Sequence, residues 1–448
     1  MAPQPRRYKR GALLVSGLVV AALAAAALAL AGVLTPAPAL PSAAQHRAGT
    51  SIPLAKAIPA PTDGLTPQQI WAAYDVAPLI RKGITGAGQT IVVVDSFGSP
   101  TIATDLAHFD SYFELPAPPS FRVIQPTGAV PAFHSTNTNR VGWAEETTLD
   151  VEWGHVMAPG AGIVVVETPT SENEGITGFP QIVAAETYVL RHRLGQVITQ
   201  SFAATEQTFP SVSSILQFRS AYQLAARDHV TVLAATGDTG ATSDQYNMRD
   251  LYTSRAVSWP ATDPLVTAVG GTQLSLRADG TRLVPDMAWS DSGGGTSIAF
   301  RRPGYQDGVQ AVTGNARGVP DVSMDASCRS SVVMYGSFYT VGGRWKPICG
   351  TSLATPLFAG VVALADQYAG HGDSHGLGLI NPALYAMAAT HEPGIIAVST
   401  GSNTHSFVQD GSRYTVPGFA AQPGYNLVTG VGTIDAASFV PELARLAG

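Results

Sequence analysis

A hydroxyl at the head of a helix, two carboxylates four residues apart and an aspartate between glycines could together attack a carbonyl carbon. The hydroxyl is Ser352, in Pro347-Ile348-Cys349-Gly350-Thr351-Ser352-Leu353-Ala354-Thr355-Pro356, ahead of the apolar run Leu357 to Ala365. Gly350 lets the backbone bend, Pro356 suits a first helical turn where its missing N–H is not needed, and Gly360 permits close packing. A serine at a helix N-terminus sits in a positive local field, which favours a developing alkoxide or oxyanion. Ser352 is therefore a candidate nucleophile; the competing reading is a plain N-cap before a core helix.

A serine nucleophile needs a base, usually a histidine oriented by an aspartate. The stretch Trp143 to His155 reads as a helix with Leu149 and Trp153 on its apolar stripe, but it carries Glu146 and Asp150 on one face. Two such carboxylates cannot both ionise cheaply, so one holds its proton and the pair can act as base and orienter at acidic pH. The alternative is two solvated surface acids. Asp238, in Ala235-Thr236-Gly237-Asp238-Thr239-Gly240, could as a protonated acid donate a hydrogen bond to an oxyanion. As an Asx-turn residue it would instead do no chemistry.

The elements that must position these groups alternate. Apolar β-branched runs recur at 91–95, 163–167, 197–201, 230–235 and 265–269, with helical patterns at 179–194 and 212–228 between them. Runs of this kind suit strands buried on both faces, and the alternation predicts an α/β fold with a doubly wound parallel sheet. Its chemistry should collect at the carboxyl ends of strands, where Asp95 and the Asp238 turn lie. A capped helix start at Leu65 to Ile70 opens what reads as a single large catalytic domain over 63–448.

Charged residues make up 13% of the 448 residues and the net charge is -6, which leaves no electrostatic footprint for nucleic acid. Arg6, Arg7, Lys9 and Arg10 precede an uncharged apolar run to Leu34. Residues 1–34 thus read as an export signal or an N-terminal membrane anchor, with the remainder outside the cell. Residues 35–62 form a Pro/Ala-rich linker. In an exported chain the two cysteines, Cys328 and Cys349, read as one disulfide that pins the segment before Ser352; two free thiols are the alternative.

The chain resembles the sedolisin family, the serine-carboxyl peptidases that share the subtilisin fold. The matching stretches are Glu146-x-x-Leu149-Asp150, Ala158-Pro159-Gly160-Ala161, Gly237-Asp238-Thr239-Gly240, Trp259-Pro260-Ala261 with Ala268 to Thr272, Ser292-Gly293-Gly294-Gly295, Pro320 to Ser323 and Gly350-Thr351-Ser352-x-x-x-Pro356. They stand in family order. The resemblance implies that Ser352 is the nucleophile, Glu146 the general base, Asp150 its orienting partner and Asp238 the oxyanion-stabilising acid. It implies a peptide or protein substrate cleaved through an acyl-enzyme at acidic pH, in a monomer whose substrate cleft runs along Ser292, Gly293, Gly294 and Gly295. A subtilisin proper would need a histidine on the carboxylate helix; here His155 reads as structural and Asp95 as a supporting or substrate-site acid.

Two features depart from the family pattern. The family's calcium site uses two aspartate carboxylates, and the matching positions are Ala397 and Asn426, so no ordinary calcium site and no other cofactor is expected. Only the export segment and a short linker precede the catalytic domain, so activation by release of a large prosegment is not expected. The competing functions are an exported, catalytically silent binding protein that keeps the fold, and a non-peptidase serine hydrolase. The last lacks a Gly-x-Ser-x-Gly elbow at Ser352.

Overall fold

The apolar β-branched runs lie side by side. In the computed structural model, which describes residues 58–339, 343–372 and 375–448, they build one sheet. Its strands are β1 (Thr90–Ser96), β2 (Phe121–Ile124), β3 (Gly162–Thr168), β4 (Val197–Gln200), β5 (Thr231–Ala235), β6 (Thr267–Gln273) and β7 (Val322–Asp325). All seven are parallel, in the order β7-β6-β5-β4-β1-β3-β2, and the short strand Met287–Ala288 adds an antiparallel edge to β6. Ile91 pairs with Ile163 on one side and Val197 on the other, so β1 is an interior strand between β3 and β4. The expected export segment at 1–34, and the linker up to residue 57, lie outside the described residues.

Side chains alternate across β1. Val92 and Val94 point into a cluster with Phe179 and Ile182, while Ile91 joins Trp153, Leu357 and Phe358 on the opposite face. Both faces are therefore covered, as continuous apolar strands require. The helices that matter for function are α1 (Pro67–Ala73), α2 (Ile102–Phe113), α3 (Thr138–Met157), α4 (Phe179–Arg191) and α5 (Thr351–Tyr368). Thr66 and Gln69 close a reciprocal capping box at the start of α1, matching the capped start expected there. Among the described residues no helix is long and apolar enough to cross a membrane.

The structure departs from the sequence pattern in two places. The helix expected over 212–228 is broken at Gln217–Arg219 into a tighter turn. That turn aims Phe218 at Phe179 and Trp259, and the Arg219 guanidinium at Asp263, which it grips through two hydrogen bonds of 2.6 and 2.9 Å. Strands β2 and β7 were not visible as apolar runs. β2 is a partly exposed edge, and β7 buries Ser323 and Asp325 among its four residues.

Helices α3 and α5 cross at Gly154 and Gly360. A Cβ on Gly360 would lie 2.4 Å from Met157 Cβ, whereas one on Gly154 would meet nothing closer than 3.8 Å. Gly360→Ala should therefore destabilise by about 1–3 kcal/mol through overpacking. Gly154→Ala should be neutral or stabilising by up to about 1 kcal/mol through helix propensity. Denaturant unfolding of the two variants checks the pair; equal effects would contradict the crossing geometry.

Candidate active site

The rotation of α3 decides where its acids point. Asn137 caps the helix by accepting the Arg140 N–H at 3.2 Å. Farther along, the Trp153 indole donates to Val333 O at 3.0 Å, and the Trp71 indole donates to Val156 O at 2.7 Å. With Leu149, Trp153 and Val156 locked in the core, the face that carries Glu146 and Asp150 is fixed. The surface-acid alternative fails: Asp150 is wholly buried, and Glu146 is half-buried with its Oε1 cut off from solvent.

Helix α5 starts at Thr351. Its N-cap is Gly350, at φ 127°, which makes no side-chain cap, so Ser352 sits inside the first turn and does not cap the helix. A Cβ at position 350 would lie 2.6 Å from Asp238 Oδ2, so the glycine is needed for close approach as well as for its backbone angle. The helix can begin this early because Asp238 Oδ1 accepts both the Thr351 N–H and the Thr351 hydroxyl, each at 2.8 Å. Asp238 thus bonds across the molecule rather than within its own turn.

Pro356 lies deeper in α5 than its spacing suggested. The first turn is complete before it, and Pro356 is the sixth residue of the helix. A helical residue at 356 would donate its N–H to the carbonyl of Ser352; proline cannot. That carbonyl instead has the Ser201 hydroxyl 3.4 Å away, from the carboxyl end of β4. Ser201 Oγ also donates to Asp150 Oδ1 at 2.9 Å.

Glu146, Asp150 and Asp95 form one buried carboxyl cluster. Asp95, at the carboxyl end of β1, is wholly buried, with the nearby Thr147 hydroxyl easing the burial of its carboxyl. Burial, then repulsion from Asp95, raises the pKa of Glu146 to about 8; the nearby Ser352 hydroxyl opposes the rise without closing a hydrogen bond to Oε1. Burial raises Asp95 to about 7 and pushes Asp150 well above the ordinary carboxylate range, helped by Asp95 and Glu146. Asp238 is exposed as a residue, but the crowding of its carboxyl, then the charge of Asp291, still raise its pKa against the two Thr351 bonds.

Other expected residues fall as follows. Cys328 and Cys349 are joined, closing the base of the hairpin Val332–Gly336 with Arg344–Ile348 just before Gly350. His155 is buried, bonded through Nε2 to Pro116 O at 2.8 Å, and takes no part in the cluster. The Ser292 to Gly295 segment is not an open cleft floor, because all four residues are buried. Ser292 Oγ accepts from Gly271 N–H at 2.8 Å and donates to Val428 O at 3.2 Å. A Cβ on Gly293 would lie 2.0 Å from Thr236 O and one on Gly294 2.2 Å from Leu427 O, so this bare backbone serves internal packing. The open surface of the segment begins beyond it, at Thr296 and Ile298. Ser201 and Thr351 were not singled out for a role from the sequence. Ser201 ends an apolar strand, where chemistry collects in such sheets, and that was its one signal.

The residues at the calcium locus do not fit a cation. Ala397 offers no oxygen from its side chain. Asn426 Oδ1 already accepts from Val428 N–H at 3.1 Å, Thr429 N–H at 3.0 Å and Thr429 Oγ1 at 3.1 Å. Its Nδ2 donates to Gln422 O at 3.1 Å and Gly424 O at 3.4 Å. Among the described residues, no three His, Cys, Asp or Glu side chains stand close enough to hold a metal. Asn426→Ala should cost about 2–3 kcal/mol by stranding these partners, while a chelator should leave the thermal midpoint unchanged; calcium-dependent unfolding would contradict this.

Protonation should set stability. Burial raises Asp110 and Glu146 to about 8 and Asp95 to about 7, so each holds its proton more tightly folded than unfolded. Their contribution is complete below the ordinary carboxylate range and is lost as pH rises through 7–8. His155, lowered to about 4 by burial, acts in the opposite sense as pH falls below its ordinary 6.5. The carboxyls outnumber it, so the thermal midpoint should fall from about pH 5 to about pH 8. Asp110→Asn should flatten that slope, and a midpoint that rises over the interval would contradict the burial argument.

Comparison with known proteins bears on the family and the fold. The subtilase family (Peptidase_S8) matches residues 136–377, more than half of the chain. Kumamolisin of Bacillus sp. (strain MN-32) is 29% identical over 392 residues, covering 84% of this chain and 62% of its own. Tripeptidyl-peptidase sed4 of Aspergillus fumigatus is 30% identical, covering 74% and 59%. Human tripeptidyl-peptidase 1 is 30% identical, covering 64% and 50%. The chain thus spans 50–62% of the length of these curated relatives. The solved structure of Pseudomonas sedolisin, a serine-carboxyl proteinase, superposes with a TM-score of 0.70 at 23% identity, over 86% of this chain and 99% of that one, which establishes the shared fold. The chain belongs to the subtilase family, on its sedolisin branch.

Proposed function

We propose that this chain is an exported serine-carboxyl peptidase that hydrolyses peptide bonds at acidic pH. The observation that carries the reading is the convergence of Glu146, Asp150 and Asp238 on the first turn of α5, where Ser352 lies. In this mechanism Ser352 Oγ attacks the scissile carbonyl and Glu146 accepts its proton. Asp150 shares the cluster's remaining proton and keeps Glu146 oriented. The tetrahedral oxyanion forms beside Asp238. Thr351 occupies Asp238 Oδ1 with two donors, so the acid's proton belongs on Oδ2, the oxygen nearest Gly350. From there it donates to the oxyanion, and a bound substrate would shield the exposed Asp238 from water. Collapse expels the amine with the proton held by Glu146, and water then cleaves the acyl-enzyme by the reverse path.

The raised pKa of Asp238 supports action below neutrality, where that acid holds its proton, while Glu146 must first give up its own proton to serve as the base. The basic and apolar N-terminal residues support export. Hydrolysis of an unstructured protein should be maximal at about pH 3–6. Ser352→Ala should abolish it, and Asp238→Asn, which keeps a donor but loses the acid, should cost less than Asp238→Ala, expected at about 100–1,000-fold in kcat. Retained substrate binding without turnover in the folded wild-type chain would overturn the peptidase reading in favour of a silent binding protein.

A further inference from the structure

The Ser201 hydroxyl has one proton and several acceptors around it, the Glu146 carboxyl among them. Asp150 Oδ1 lies at 2.9 Å and Ser352 O at 3.4 Å. The second acceptor lacks its usual helical donor, because Pro356 supplies no N–H to it. The first belongs to a carboxyl group with no other hydrogen-bond donor, since Asp150 Oδ2 is buried and unpartnered. The cluster around it is otherwise acidic: Glu146 from the same helix and Asp95 from β1 face Asp150 and supply the largest charge effects on it.

We propose that Ser201 is a positioning residue that couples the proton on Asp150 to the carbonyl of Ser352, and so to the turn that carries the nucleophile. With Asp150 ionised, Ser201 donates to Oδ1. With Asp150 protonated, Asp150 O–H donates to Ser201 Oγ, and the Ser201 proton turns to Ser352 O. No bond to a heavy atom changes, and no proton leaves the pair. The carbonyl that α5 leaves open is thereby capped when the pair holds its proton and released when it does not. This inference rests on the peptidase reading for its kinetic consequence but not for its structural one.

The test compares Ser201→Ala with Ser201→Thr, which keeps the hydroxyl. On a soluble unstructured protein substrate, Ser201→Ala should lower kcat about tenfold with KM little changed. It should also move the acid limb of the rate profile up by about one pH unit, because the Asp150 carboxylate loses its donor. Ser201→Thr should restore both. A Ser201→Ala profile that superposes on wild type overturns the proposal. A double-mutant cycle of Ser201→Ala with Asp150→Asn, read by thermal unfolding across pH, needs no turnover. Coupling that weakens but persists as Asp150 is protonated supports the pairing, since the bond passes from charged to neutral, and additivity at every pH overturns it. Coupling in a wild-type chain that hydrolyses no peptide bond would leave Ser201 paired while the peptidase reading fails.

Discussion

Three carboxyl groups crowd together, two of them wholly buried and Glu146 half-buried, and the rest of the site follows from that constraint. Asp95, Glu146 and Asp150 come from β1 and α3, and the largest charge effects on them come from other carboxyl groups. Buried like charges are far too costly to coexist, so the cluster persists only by retaining protons. A proton held between two carboxyls is mobile, and mobility beside a hydroxyl is what general-base chemistry requires. The same burial makes the cluster a liability at alkaline pH, where its protons are lost.

The surrounding structure keeps this arrangement in register. Two indole hydrogen bonds fix the rotation of α3, and the glycine at position 360 lets α5 come close enough for its first turn to meet the acids. Asp238 reaches from the loop after β5 to start α5 one residue before Ser352. The disulfide closes the hairpin that leads into that turn. Each contact is local, but together they tie segments more than two hundred residues apart to one point. Where the family pattern has calcium carboxylates, the Asn426 amide now closes the loop with five hydrogen bonds of its own.

Much of this could be read from the residues. The apolar runs identified β1 and β3 to β6, and the spacing of Glu146 and Asp150 put them on one face. The motif order then supplied the family. What stayed hidden depended on packing between distant segments. Pro356 looked like a first-turn proline because nothing local announces that a carboxylate 113 residues away has started the helix earlier. Ser292 to Gly295 looked like open backbone because glycine permits close approach without saying what approaches; here it is Thr236 and Leu427. β7 was obscured by its buried Ser323 and Asp325, whose polarity is tolerated only inside the finished fold. Ser201 carried no motif at all, and its meaning comes from the acceptors that folding brings to it.

The central claim is that Glu146 and Asp150 hold a proton between them beside Ser352. The most direct measurement is the pH titration of the side-chain carboxyl carbons by NMR, assigned through Glu146→Gln and Asp150→Asn. The account predicts that at least one carboxyl of the pair titrates above about pH 6, and that removing its partner changes that value. Two independent titrations near the ordinary 3.8 and 4.5 would contradict it.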